Sequence, residues 1–275
     1  MMFFITMLLF AAEPSLQAIV EPAGGTVGFA AVELTSGRSL GLRQDEPFPM
    51  QSVFKLPIAI EVLRQVDKGK IALDHKILLG ADDAREGATG MIAVPSQVTV
   101  RKLLEAMVLN SDNVACDRLL ALVGGPQVVD ARMRGFGIKG MSIRLSEREM
   151  TAGKGDNTAT PTATVALLVR MARQGLGLVP ASAKYLEDLL LHVATGEKRI
   201  KGALPPGTPV AHKSGSSRTQ DGRTDATNDV GLISLPNGNR IAIAVFVHDS
   251  PADERTREET IAKLARAVYD TFRAP

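Results

Sequence analysis

The chain has 275 residues, 45% of them hydrophobic and 23% charged, enough apolar content to bury a large core as one compact unit or two interleaved subdomains. Its 32 basic and 30 acidic residues leave a formal charge of +2 and are spread along the chain without a basic tract, which excludes nucleic acid as the expected partner. A single cysteine, Cys116, excludes an intramolecular disulfide, and within an apolar helical pattern it reads as a small buried side chain.

Met1 to Ala12 is apolar for most of its length and ends at the polar break Glu13-Pro14, so residues 1–18 are expected to be a signal peptide or a disordered N-terminus. No later run reaches the roughly 20 apolar residues of a membrane span. The mature protein is therefore expected to be soluble and exported, in the periplasm or outside the cell. Thr26 to Leu34 reads as a strand, paired through the turn at Thr35-Ser36-Gly37 with a second strand ending at Leu42. From Ser52 the period becomes helical, with Val53, Leu56, Ile60, Leu63 and Val66 on one face and Gly69 as the stop. Further helices are expected over Val100 to Leu109, Asp112 to Val123, Pro126 to Arg134, Pro161 to Gln174 and Ala181 to His192. The pattern returns to strands at Val210 to Ser217, Val230 to Leu235 and Arg240 to His248, the last two joined by Asn237-Gly238. A final helix carries the stripe Ile261, Leu264, Val268 and Phe272. Strands from both ends flank a helical block, so the expected fold is α/β (α+β). One antiparallel sheet with flanking helices is built from residues 19–50 and 193–275, and residues 51–192 form an inserted all-α subdomain.

Three short motifs could carry chemistry. Ser52-Val53-Phe54-Lys55 places a hydroxyl and an amine three residues apart at a helix start, where both point to the same side. A lysine partly desolvated there could act as a base, although an N-capping serine is the commoner meaning of such a position. Ser111-Asp112-Asn113 lies between two apolar helices and also reads as a capping turn. Lys213-Ser214-Gly215 sits on a late strand, where a glycine lets a ligand approach the backbone. Each is weak alone; their order along the chain is that of class A β-lactamases and penicillin-binding proteins.

With these motifs the sequence resembles the class A β-lactamases from about Gly28 to the C-terminal helix. Phe48 to Pro57 looks like the nucleophile region, and Ala211 to Ser217 with Ala226-Thr227-Asn228-Asp229-Val230-Gly231 is similar to the subgroup containing the PER and VEB enzymes. The resemblance implies the serine β-lactamase and penicillin-binding-protein fold, a single catalytic domain over 19–275, a monomer, no cofactor and a small β-lactam substrate. It implies Ser52 as nucleophile, with Lys55 or Glu147 taking its proton. Ser111 would relay a proton to the leaving nitrogen, and the backbone N–H groups of Ser52 and Ser216 would hold the oxyanion. Asn113, Lys213, Ser214, Gly215, Ser217 and Arg199 would bind substrate, with Arg218 and Arg223 as competitors of Arg199 for its carboxylate.

Deacylation needs a carboxylate between the second and third motifs. In Glu147-Arg148-Glu149-Met150-Thr151 the resemblance points to Glu147, with Glu149 as the alternative. The stretch to Pro161 is a few residues shorter than in the family, Thr151 replaces a water-holding asparagine, and Leu145 stands where the loop's arginine is expected. His75, His192, His212 and His248 lack the close spacing of a hydrolytic zinc site, so no metal is expected. A penicillin-binding peptidase shares the three motifs but lacks the deacylating glutamate, and a β-lactam-sensing domain would carry a membrane-anchored partner; Glu147 and the absence of a span argue against them.

Overall fold

The computed structural model describes residues 15–84 and 92–273. Residues 1–14, most of the expected leader, lie outside them. Helix α1 (Leu16–Val20) is capped by the Ser15 hydroxyl, which accepts from the Ala18 N–H. Strands β1 (Thr26–Glu33) and β2 (Ser39–Leu42) form the expected hairpin, its turn closed by the Glu33 carboxylate accepting from the N–H groups of Thr35 and Ser36. After β3 (Phe48–Pro49), a 3-10 turn over Gln51–Phe54 leads into α2 (Lys55–Asp67), so Ser52 sits in a tighter coil than the expected first α-turn. The short strands β4 (Lys76–Leu79) and β5 (Ser96–Thr99) pair with each other.

Three helices follow, α3 (Val100–Leu109), α4 (Asn113–Leu122) and α5 (Pro126–Gly135). The first two are capped by Thr99 and Asp112, whose side chains accept from the Lys102 and Ala115 N–H groups. Strand β6 (Met141–Ser142), helix α6 (Glu147–Thr151) and strand β7 (Thr158–Ala159) come next, with β7 between β3 and β6 in a small sheet. Helices α7 (Pro161–Gln174) and α8 (Pro180–Leu191) complete the middle of the chain. Strands β8 (Val210–Ser216), β9 (Thr219–Gln220), β10 (Arg223–Ser234) and β11 (Arg240–Ser250) then lead to α9 (Glu254–Arg273).

The main sheet runs β2-β1-β11-β10-β8 with β9 beside β10, and β1 pairs antiparallel with β11 from Thr26↔His248 to Glu33↔Ile241. The chain's two ends thus build one sheet, as the pattern predicts. Alternation sorts its side chains onto two faces. Phe29, Ala31, Ile241, Ile243, Val245 and Val247 pack under α1 and α9 with Ile261, Leu264 and Val268. Ala30, Ala242, Ala244 and Phe246 face the inserted helices, where Phe54, Ile58, Leu103 and Leu119 fill the second core.

Two expectations need correction. The stretch 51–192 is not purely helical, because β4, β5, β6 and β7 lie within it, and α7 also packs on β1 and β11. Strand β10 begins at Arg223, well before the expected Val230. Its first half, Thr224 to Asp229, lacks an apolar alternation because its polar side chains are buried beneath the site, and the backbone pairs with β9 or β8 on one side and with β11 on the other.

Candidate active site

Ser52 lies in the 3-10 turn before α2, and Gln51 just before it has a left-handed backbone, φ +44°. The turn is pressed against β8. A Cβ on Gly215 would stand 2.7 Å from the Met50 carbonyl oxygen and 3.1 Å from the amide nitrogens of Ser52 and Val53. The glycine of the third motif is thus required by the backbone around Ser52, a nearer cause than the ligand approach expected from the sequence. Asn228, in the polar half of β10, donates from Nδ2 to the carbonyls of Pro49 and Met50 at 2.8 and 3.2 Å and holds the turn from its other end.

One helical turn beyond Ser52, α2 places Lys55 with its side chain fully buried. Its Nζ donates to Ser52 Oγ at 2.8 Å, to the Ser111 carbonyl at 2.7 Å and to Asn113 Oδ1 at 2.6 Å, with Ser111 Oγ at 3.3 Å. Ser111 can offer both groups because its backbone is left-handed, φ +60°, between α3 and α4. Asp112, the middle residue of that motif, is spent on the α4 cap, so only its two neighbours reach the lysine.

Glu147 opens α6, 7% exposed, with Oε1 2.8 Å from Lys55 Nζ. That oxygen lies off line for a hydrogen bond, so the contact is an ion pair. Glu149 has a different task. It closes a capping box with Ser146, accepting from the Ser146 N–H, and that bond holds its carboxyl below the usual range. The geometry therefore directs Glu147, and not Glu149, at the lysine.

Sequence reasoning missed the groups that fix Glu147. Asp117 on α4 accepts from the N–H groups of Glu147 and Arg148 at 2.8 and 3.2 Å, anchoring the start of α6. Asn157, fully buried, accepts from the Arg144 and Leu145 N–H groups at 2.8 and 3.0 Å and donates to the Leu145 carbonyl at 2.9 Å. It closes the neck of the loop where Leu145 replaces the expected arginine. The Asn157 carbonyl also accepts from Met50 N–H at 2.8 Å, joining loop and nucleophile turn. The Thr151 hydroxyl donates to the Glu147 carbonyl at 2.8 Å, so it is turned into its own helix.

On β8, Lys213 Nζ donates to Ser111 Oγ at 3.1 Å and to the Ser214 carbonyl at 3.1 Å. Burial, with the nearby Lys55 charge adding to it, pulls its ammonium down to about 7. Ser214 exchanges a hydrogen bond of 2.7 Å with Thr195 Oγ1. Ser217 bonds Ala226 through both its amide and its hydroxyl. Because the Ser217 N–H faces β10 and β8 is an outer strand, alternation aims the Ser216 N–H at the open edge beside Ser52.

Arg199 is set back from this edge. It is 5% exposed and donates to the Gly215 and Asn228 carbonyls at 3.1 and 2.9 Å, to Ser216 Oγ at 2.8 Å and to Glu258 Oε1 at 3.2 Å. Its fork meets the cleft through the Ser216 hydroxyl. Arg223 is paired with Asp249, and Arg218 is exposed.

Comparison with known proteins places the chain among β-lactamases. A family model described as "Beta-lactamase enzyme family" matches residues 11–272. The chain is similar to the extended-spectrum β-lactamase PER-1 of Pseudomonas aeruginosa, 37% identical over 261 residues that cover 92% of this chain and 85% of that protein. β-Lactamase VEB-1 of the same organism is 32% identical over 265 residues, 94% of this chain and 89% of its own. A solved β-lactamase from Chitinophaga pinensis superposes with a TM-score of 0.89 at 39% identity, covering 94% of this chain and 97% of its own. The TLA-3 extended-spectrum β-lactamase superposes at 0.90 and 33%, covering 95% and 98%.

Proposed function

The chain belongs to the β-lactamase enzyme family as a class A β-lactamase, which hydrolyses β-lactams and confers resistance to them; we propose that it works through a Ser52 acyl-enzyme that Glu147 helps to hydrolyse. The observation that carries this reading is Lys55 Nζ, 2.8 Å from both Ser52 Oγ and Glu147 Oε1. Ser52 Oγ attacks the lactam carbonyl as its proton passes into the Lys55–Glu147 pair. The oxyanion rests on the N–H groups of Ser52 and Ser216, at about 3 kcal/mol per donor.

Ser111 Oγ, shared by Lys55 and Lys213, passes a proton to the departing nitrogen, which opens the ring. Lys213, with Ser214, Ser217 and the Ser216 hydroxyl that Arg199 orients, receives the substrate carboxylate. Asn113 meets the acylamide side chain, and Gly215 keeps β8 close to the nucleophile. Glu147 then takes a proton from water as that water attacks the ester, and Ser52 is released. Residues 19–275 act as one catalytic unit, working as a monomer. Export to the periplasm or beyond fits the apolar N-terminal segment; no helix among the described residues is long and apolar enough to cross a membrane.

The test is turnover of a chromogenic cephalosporin by the wild type, Ser52→Ala and Glu147→Ala. The first variant is expected to form no adduct, and the second to acylate in a stoichiometric burst and then stall, about 10²- to 10⁴-fold slower in turnover. Stoichiometric acylation without turnover in the wild type, or full activity in Ser52→Ala, would overturn the proposal.

A further inference from the structure

Beneath the cleft, on the face of β8 that looks toward α9, two buried ionisable side chains take no part in the steps above. His212 Nδ1 lies 2.9 and 3.0 Å from the two carboxylate oxygens of Asp229, both residues are fully buried, and the Ile200 N–H donates to Asp229 Oδ2 at 3.2 Å. His212 Nε2 is also buried and has no hydrogen-bond partner. A proton there would be an N–H sealed from water with nothing to accept it. Nδ1 is therefore the ring nitrogen that donates, with its N–H directed at the Asp229 carboxylate. The Asp229 carboxylate thus accepts from two N–H donors, His212 Nδ1 and the Ile200 amide.

The cations on that face are engaged elsewhere. Arg199 pairs with Glu258, and Arg257 donates to Thr227 Oγ1 and the Ala252 carbonyl. Lys213 is the residue after His212 and projects from the opposite face of the same strand, while Asp229 sits across from Ser214 on β10. Two lysines with one hydroxyl between them need two opposing charges. Lys55 has Glu147 in contact, whereas Lys213 has no carboxylate within ion-pair distance among the described residues.

We propose that Asp229, held in place by His212, is the counter-charge for Lys213 through the thickness of the sheet, and so a positioning residue for β-lactam binding and ring opening. The groups acting on Lys213 fit this role. Burial and Lys55 (α2) push its ammonium toward neutrality, whereas Asp229 (β10) foremost, then Glu147 (α6) and Cys116 (α4), oppose them. Removing the Asp229 charge lowers the pH at which Lys213 loses its proton, and with it the alkaline limb of kcat/KM, which reports the free enzyme.

The proposal rests on the role given to Lys213 above. The experiment is the pH profile of kcat/KM for a cephalosporin in the wild type, Asp229→Asn, His212→Asn and Lys213→Arg, with near-UV circular dichroism to establish folding. Asparagine at 229 can still accept from Ile200 N–H and His212, so the contact survives without the charge. Its alkaline limb is expected to fall by at least half a pH unit, with a several-fold loss at pH 7.5 recovered near pH 6. His212→Asn keeps the charge and is expected to keep the limb. Adding Asp229→Asn to Lys213→Arg should shift nothing, because a guanidinium does not titrate in this range.

An unshifted limb with a uniform loss at every pH would overturn the inference and leave the acyl-enzyme reading intact; failure of that reading shows instead as activity in Ser52→Ala. Should Asp229→Asn not fold, Asp229→Ser is the second variant, judged by the same limb. A limb that falls in His212→Asn would equally overturn the inference.

Discussion

Gly215→Ala adds a single methyl group where the backbone of the nucleophile turn already stands. The new Cβ would lie 2.7 Å from the Met50 carbonyl oxygen, some 0.7 Å short of the 3.4 Å at which ordinary contact begins, and 3.1 Å from the amide nitrogens of Ser52 and Val53. None of these atoms is the end of a flexible side chain. Asn228 ties the Met50 carbonyl to β10, and the Asn157 carbonyl ties the Met50 amide to the loop, so the turn can yield only by breaking those bonds or by pushing β8 outward. Overpacking of this kind costs about 1–3 kcal/mol, and for a chain of this size each kcal/mol lowers Tm by roughly 2–4 °C. Displacing Ser52 by several tenths of an ångström also spoils its line of attack, and a shift near 1 Å costs on the order of 10²-fold in rate. Calorimetry should show a Tm lower by about 2–12 °C. Pre-steady-state acylation of a chromogenic cephalosporin should be slowed by roughly one to two orders of magnitude. Wild-type Tm together with wild-type acylation would refute the claim that nucleophile packing dictates this glycine.

Asn157→Ala leaves the Arg144 and Leu145 N–H groups without their acceptor at the neck of the loop, at about 1–3 kcal/mol for each group left buried. Because Glu147 rides on that loop, deacylation should suffer more than acylation, seen as a burst that persists while steady-state turnover falls about tenfold or more. Glu33 supplies a pH test of stability. Burial alone would raise its carboxyl, but the hydrogen bonds from Ser36 and Thr35 outweigh it and hold the group at about 2, below the ordinary 4.5. A folded-state value below the unfolded one contributes stability that is present above pH 4.5 and fades as pH falls toward 2. Glu33→Gln should therefore melt below the wild type at pH 7, and the two melting curves should converge as the pH drops through that window.

Those parts of the site that depend on neighbouring residues were legible before any coordinates. Ser52 and Lys55 are three residues apart, and one helical turn brings them together whatever the rest of the chain does. Ser111 and Asn113 flank a helix cap for an equally local reason. Helices with an apolar stripe, such as α9 with Ile261, Leu264 and Val268, declare themselves through periodicity. Asn228 bonds Met50 across 178 positions and Asp117 bonds Glu147 across 30, separations at which a single sequence carries no signal that the two residues meet. The first half of β10 was hidden for a related reason. Thr224, Thr227, Asn228 and Asp229 are buried polar residues, and burial of that kind erases the alternation by which a strand is recognised.

Arg199 shows how a residue type can be read correctly while its geometry stays hidden. An arginine near the third motif invites a direct fork on the substrate carboxylate, yet the fold surrounds this one with two carbonyls, a hydroxyl and Glu258. A cation so enclosed contributes potential and orients the Ser216 hydroxyl, to which the proposed function gives the contact itself. The same division holds for the two lysines. The short motifs supply the hydroxyls and the amines around them, but they place two buried lysines within reach of one serine, an arrangement in which two charges would repel. The balancing charges come from outside those motifs. Glu147 is delivered by a five-residue helix that Asp117 and Asn157 hold in place, and Asp229 lies behind the sheet. The residues that make the site recognisable are thus distinct from those that make its charge tolerable, and the second set rests on contacts assembled across the whole chain.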